Sequence, residues 1–103
     1  MQPTPSIERL LAYLTSDDVQ DRRAAAIELA QRQDERVIQA LLNALQDTDS
    51  TVRANAASGL AVNGAQEAID PLIARLQDEH DIVRERSATA LAQIGTGRAI
   101  EPL

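Results

Sequence analysis

Leu14, Leu45 and Leu76 are spaced by 31 residues, and the same interval separates Leu29, Leu60 and Leu91 as well as Arg22, Arg53 and Arg84. Ile7, Ile38, Ile69 and Ile100 form another column, as do Leu10, Leu41, Leu72 and Leu103, and Gly64 pairs with Gly95. One period running the length of the chain restricts the fold more than any single motif, because every copy must share a local structure and a way of meeting its neighbour. The stretch "STVRANAASGLAVNG" at 50–64 returns as "DIVRERSATALAQIG" at 81–95, and no linker separates the units.

Each unit divides into two helical patterns. The first half carries Ile7, Leu10, Leu11 and Leu14, then Ile38, Leu41, Leu42 and Leu45, then Ile69, Leu72, Ile73 and Leu76. This i, i+3, i+4, i+7 spacing is one apolar stripe on an amphipathic helix. The second half carries Ala25, Ala26, Leu29 and Ala30, then Val52, Ala56, Ala57, Leu60 and Ala61, then Val83, Ala88, Leu91, Ala92 and Ile94. That stripe is wider and rich in Ala, as a helix packed on more than one side needs. The patterns predict helices over 5–15, 20–32, 36–46, 50–62, 67–77 and 81–94. Asp18, Asp49 and either His80 or Asp81 stand where a side chain caps the second helices. Gly64 and Gly95 stand where a left-handed residue ends a helix, and Pro71 and Pro102 lie early in first helices, where a missing N–H costs little.

A two-helix unit of this length cannot bury its stripe alone, so copies stack and share a core. The expected fold is an all-α solenoid forming one domain, with repeats at about 5–36, 37–67 and 68–98 and the start of a fourth at 99–103. The chain has no Trp, no Phe and only Tyr13 among the aromatics, so the core is built of Leu, Ile, Val and Ala. Small side chains imply backbones that approach closely.

The pattern "AIDPLIARLQDEHDIVRERSATALAQIG" at 68–95 resembles the HEAT-like repeats of the phycobilisome-lyase type, and the resemblance covers essentially the whole chain. It weakens in the first unit, where Asp21 replaces the Val and Gln33 the Gly, and where Ala40 begins the next unit without the Pro, as in a terminal capping repeat. The resemblance implies that second helices of successive units line a concave face against which partners lie. By column, the outward positions there are Gln20, Arg23, Ala24 and Ile27, then Thr51, Ala54, Asn55 and Ser58, then Ile82, Glu85, Arg86 and Thr89. These columns vary between copies while the core columns do not, which marks a surface. The leading expectation is a non-catalytic scaffold that binds another protein on this face. The alternative implied by the resemblance is a component of a phycobilin lyase or phycobilisome-handling system, with a phycobiliprotein as partner; Arg23 and Arg86 are then the candidates for a bilin's propionates.

Charge and composition exclude several classes. A formal charge of −6 and a pI near 4.6 oppose nucleic acid and acidic lipid, since phosphate recognition draws on clustered Lys and Arg. No Cys is present, which removes disulfides, thiolate metal sites and a cysteine nucleophile. No apolar run approaches the roughly 20 residues of a membrane span, no signal peptide is visible, and a cytoplasmic location is expected. His80 is the sole histidine, and metal ligation needs a cluster. Deoxyhypusine hydroxylase, also built of HEAT-like repeats, holds iron with repeated His-Glu pairs, whereas this chain has Glu79-His80 once. Asp17 with Asp18 reads as caps; Ser50, Ser58 and Ser87 have no periodic relation to a His; and "GTGR" at 95–98 precedes no strand. No catalytic residue, cofactor or metal site is expected. Tyr13 shares an exterior column with Ala44 and Arg75 and reads as a rim residue.

The Arg22, Arg53 and Arg84 column follows the acidic loops "SDD", "DTD" and "DEHD". A guanidinium matches a carboxylate bidentately, so ion pairs to Asp17, Asp47 and Asp78, within or between units, are expected to hold the turns in register. The chain closes on "AIEPL", the opening of another first helix, and the expectation is either a piece of a longer array or a small protein that self-associates through that end.

Overall fold

In the computed structural model, which describes residues 6–99, periodicity is converted into packing. The described residues are all-α: α1 (Ile7–Leu14), α2 (Val19–Leu29), α3 (Glu35–Ala44), α4 (Ser50–Val62), α5 (Ile69–Arg75) and α6 (Asp81–Ala99), with a 3-10 turn over Gln66–Ala68 leading into α5. They contain no strand. Helices α1 and α2, α3 and α4, and α5 and α6 pack as pairs, and α4 additionally lies between α2 and α6. Neither helix of the first pair packs to a comparable extent on the third. The molecule measures 45 × 31 × 21 Å. It is therefore a stack in which contact runs from neighbour to neighbour.

The repeated leucines form the core. Leu29, Leu41, Leu45, Leu60 and Leu72 are fully buried together with Val37, Val52 and Val83, and truncating any such Leu costs about 2–5 kcal/mol. Small residues let the helices close up. A Cβ at Gly59 in α4 would stand 2.6 Å from Leu41 Cδ1 and 2.8 Å from the Ala30 backbone Cα.

The side-chain caps of α2 and α4 follow the sequence. Asp18 accepts from the Gln20 N–H at 2.9 Å and Asp49 from the Val52 N–H at 3.1 Å, each worth about 1 kcal/mol. Ser6 and Asp34 do the same for α1 and α3, accepting from Arg9 and Arg36. At α6 the backbone carbonyl of His80 accepts the first helical N–H groups, from Val83 and Arg84. Gly64 has φ +59°, and the bonds Ala65 N–H to Leu60 C=O and Gly64 N–H to Ala61 C=O close α4 in a Schellman turn. Pro71 lies in the first turn of α5, as expected.

Three expectations are corrected. Gly95 does not end a helix, since α6 runs through it to Ala99 and Gly64 alone has positive φ among the described residues. Glycine permits a left-handed exit without compelling one; at Gly64 the return of the chain into α5 compels it. Ala88 and Ala92 are exposed instead of packed, while Ser87 and Ala90 point inward. Their equivalents Ala26, Ala57 and Ala30 are buried by the succeeding unit, and no described residue lies beyond α6 to cover the third. Ala44 is buried although Tyr13, in its column, is 44% exposed. The start of a fourth unit, with Ile100, Pro102 and Leu103, lies outside the described residues except for Ala99, the last residue of α6.

Candidate binding face and its ion-pair frame

The arginine column forms a relay between units. Arg53 donates from Nε and an Nη to the two carboxylate oxygens of Asp78 at 2.8 and 2.9 Å, and from its other Nη to the Asp47 carbonyl at 2.8 Å. Arg22 repeats this less completely, with Nε to the Asp47 carboxylate at 3.0 Å and Nη1 to the carbonyls of Ser16 and Asp17. Each arginine thus fastens its own loop by a carbonyl and the next unit's loop by a carboxylate. Asp17 contributes only its carbonyl, because the acceptor column that holds Asp47 and Asp78 is occupied by Ser16 in the first unit. Arg84 donates to the Asp78 carbonyl at 2.6 Å and pairs locally with Asp81.

Burial makes the central pair the strong one. The side chains of Arg53 and Asp78 are 6% and 2% exposed. The hydrogen bond from Arg53 holds the Asp78 carboxyl below the usual carboxylate range, against the opposing effect of burial, and Arg53 is raised in turn. A second inter-unit pair was not anticipated by the column argument. Arg23 grips Asp49 with two bonds of 3.0 and 2.6 Å, and this lowers the Asp49 pKa against the opposing effect of burial, as do the backbone N–H groups that Asp49 accepts in capping α4. Asn63 is a third clamp: its amide donates to the Arg32 carbonyl at 2.9 Å and its oxygen accepts from the Asp34 N–H at 2.9 Å. A polar residue just before the helix-ending Gly64 was the available signal for it.

On this frame α2, α4 and α6 present the face singled out by sequence. Gln20, Ala24, Ile27, Ile82, Glu85, Arg86 and Thr89 are exposed; Arg23, Thr51, Asn55 and Ser58 are half-buried. Ala54 is 3% exposed and cannot reach a partner. Flanking by α2 and α6 narrows the outward arc of α4 and closes over this small side chain. Two bonds knit the face further, Asn55 to the Thr51 carbonyl at 3.0 Å and Arg86 to Ser58 Oγ at 2.9 Å. Ser58, Arg86 and Thr89 also line a groove of about 200 Å³ between α4 and α6, which Val62 and Gln93 extend. Ile27, Val62 and Ile82 stand about four-tenths exposed on these second helices. Val62 escaped the sequence reading because its column holds Gln31 and Gln93 in the other copies.

No group of three His, Asp or Glu residues able to hold a metal occurs among the described residues. His80 lies 3.8 Å from Glu79 in an exposed loop. Ser87 is fully buried, and its Oγ has no hydrogen-bond partner. No helix among the described residues is long and apolar enough to cross a membrane.

A family model described as HEAT repeats matches residues 7–92 and 52–103. A search of curated protein sequences finds no match. Among solved structures, the complex of CpcE and CpcF of phycocyanin lyase from Nostoc sp. PCC7120 superposes with a TM-score of 0.82 at 29% identity, over 90% of this chain and 38% of that one. Human deoxyhypusine hydroxylase in complex with glycerol superposes with a TM-score of 0.78 at 26% identity, over 98% of this chain and 37% of that one. The chain thus spans little more than a third of the length of either.

Proposed function

We propose, from the premise that this chain belongs to the HEAT-repeat family, that it is a non-catalytic scaffold whose second-helix face binds another protein. The observation carrying this is the conjunction, on one face, of three half-exposed aliphatic side chains, Ile27, Val62 and Ile82, with an inter-unit frame that fixes their spacing. Solvent-facing aliphatics on a rigid support lose little entropy when covered, which is the condition under which modest buried area becomes affinity. The polar groups between them, Gln20, Glu85 and Thr89, supply the rim that sets orientation. The absence of lysine and the charge of −6 favour a protein partner over nucleic acid.

The test is capture of the partner from the source organism by immobilised chain, compared with a Glu85→Lys, Arg86→Glu variant and with Ile82→Glu. All three substitutions lie at exposed positions. Loss of the same bound protein from both variants is expected, and undiminished capture by both overturns the reading.

A second reading, in a phycobilin lyase or phycobilisome-handling system, is supported by the likeness to the CpcE and CpcF complex. The geometry tells against a bilin on this face in one respect. The Arg23 fork is already taken by Asp49, which leaves Arg86 alone for a propionate. Mixing the chain with a bilin and recording its absorption band separates the two readings: a shifted band supports the second, an unmoved one the first.

A further inference from the structure

Across the second-helix face, α2 and α6 each reach towards α4 with an arginine, and the two arginines differ. From α2, Arg23 gives Nε and Nη2 to the Asp49 carboxylate. From α6, Arg86 gives Nη1 to Ser58 Oγ at 2.9 Å and meets no carboxylate among the described residues. Arg22, Arg36, Arg53, Arg75 and Arg84 each reach one, as Arg23 does. The cause is visible in the sequence, because the residues three and four positions away on α6, Ile82, Val83, Thr89 and Ala90, include no acid. Glu85, next to Arg86 in the chain, does not line the groove between α4 and α6. Nor does the repeat require an arginine here, since the same column holds Ala24 and Asn55.

Arg53 shows how this chain divides a guanidinium. Its Nη1 goes to a neutral oxygen, the Asp47 carbonyl, and its Nε–Nη2 edge to the two oxygens of a carboxylate, Asp78. Arg86 makes the first half of that arrangement, with Ser58 as the neutral oxygen, and no described residue accepts from its Nε–Nη2 edge. The groove of about 200 Å³ beside it is lined by no acidic residue. Its other polar groups can all donate: Thr89 and Gln93, whose side chains bond to no described residue, and Ser58, whose hydroxyl accepts from Arg86 and keeps its own hydrogen. Val62 and Ala90 supply an aliphatic wall. One open guanidinium edge, neutral donors and methyl groups together match a short aliphatic stem that ends in a carboxylate.

We propose that the α4–α6 groove receives a glutamate side chain of the partner protein, with its methylenes on Val62 and Ala90 and its carboxylate on the Nε–Nη2 edge of Arg86, beside Thr89. Glutamate fits better than aspartate because its second methylene covers more of the aliphatic wall. This rests on the second-helix face being the binding face, and it adds the chemistry of one anchor on that face.

The probe is the capped tripeptide acetyl-Leu-Glu-Leu-amide, titrated into the labelled chain at low ionic strength and followed by NMR, beside acetyl-Leu-Gln-Leu-amide. Shifts centred on Val62, Thr89 and Ala90 are expected, with a Kd on the order of 10 mM and binding of the glutamine peptide about threefold weaker or more. The preference should vanish in Arg86→Gln, and also at about 1 M salt, where charges are screened beyond roughly 3 Å. Equal binding of the two peptides by the unaltered chain, a preference that survives in Arg86→Gln, shifts centred elsewhere, or no shifts at that concentration overturns the proposal. A bilin band that shifts with the unaltered chain and not with Arg86→Gln assigns the groove to a propionate and overturns it too. Capture from the source organism separates this proposal from the reading beneath it. Undiminished capture by Arg86→Gln with none by Ile82→Glu removes the glutamate anchor and leaves the binding face, whereas undiminished capture by both removes the face itself.

Discussion

Replacing Arg53 with Ala removes both bonds to Asp78 and the bond to the Asp47 carbonyl in one step. What remains is a carboxylate 2% exposed, contacted by Arg75 at 3.4 Å and by the His80 N–H at 3.0 Å. Breaking a buried pair from one side costs about 3–5 kcal/mol, because the surviving charge stays desolvated. The residual contacts place this case at the lower end, near 3 kcal/mol. For a domain of this size that corresponds to a fall in Tm of roughly 12–24 °C. Urea unfolding followed by circular dichroism measures the change directly, and the same substitution at the other two positions supplies the scale. Arg22, monodentate and 17% exposed, should lose about 1–2 kcal/mol. Arg84, 42% exposed and paired only locally, should lose less than about 1 kcal/mol. A loss below about 1 kcal/mol at Arg53, or an order in which Arg84 costs most, refutes the assignment of the inter-unit lock to this column.

Three further outcomes are expected. Gly59→Ala drives a methyl against the Ala30 backbone and should cost about 1–3 kcal/mol in urea unfolding despite its better helix propensity; a stabilised variant contradicts the close approach of α4 to the end of α2. Ser87→Ala removes a buried hydroxyl with no partner and should be neutral or stabilising by about 1 kcal/mol, so a marked loss would mean that the hydroxyl is bonded. Asp78 and Asp49 have folded pKa values below the ordinary carboxylate value, so the stability they confer is complete above about pH 5 and fades as pH falls through those lowered values. Arg53→Ala should flatten the acid side of the stability curve, and parallel curves for the two proteins rule this out.

The architecture is legible from the period because a column of identical leucines asks for one environment; Leu29 and Leu60 are fully buried, and Leu91, in the third unit, is half-buried. The arginine column announced itself similarly, but its partners did not. Whether Arg53 reaches back to Asp47 or forward to Asp78 depends on the separation of stacked helix pairs, and the spacing within one unit carries no information about that distance. It does both, through a carbonyl and a carboxylate. Columns whose environment changes along the stack were the ones misread. Ala88 and Ala92 were placed inward by analogy with Ala57 and Ala61, yet burial there is conferred by the next unit and not by the residue itself. Ala54 failed in the opposite sense, since only α4 is flanked on both sides. Of the proposed binding face, Ile27 and Ile82 are legible from column variation, and Val62 is not, because nothing in a pair of glutamines foretells an aliphatic between them.

Native-state hydrogen exchange, resolved by residue, tests most directly whether stacking on neighbours supplies the rigidity of the chain. The amides of α4, covered by α2 and α6 and tied through Arg53, should exchange slowest and only through global unfolding. Those of α1 should exchange faster, as should the stretch of α6 beyond Ile94. Protection as strong in α1 as in α4, or two units opening while the third stays closed, contradicts it.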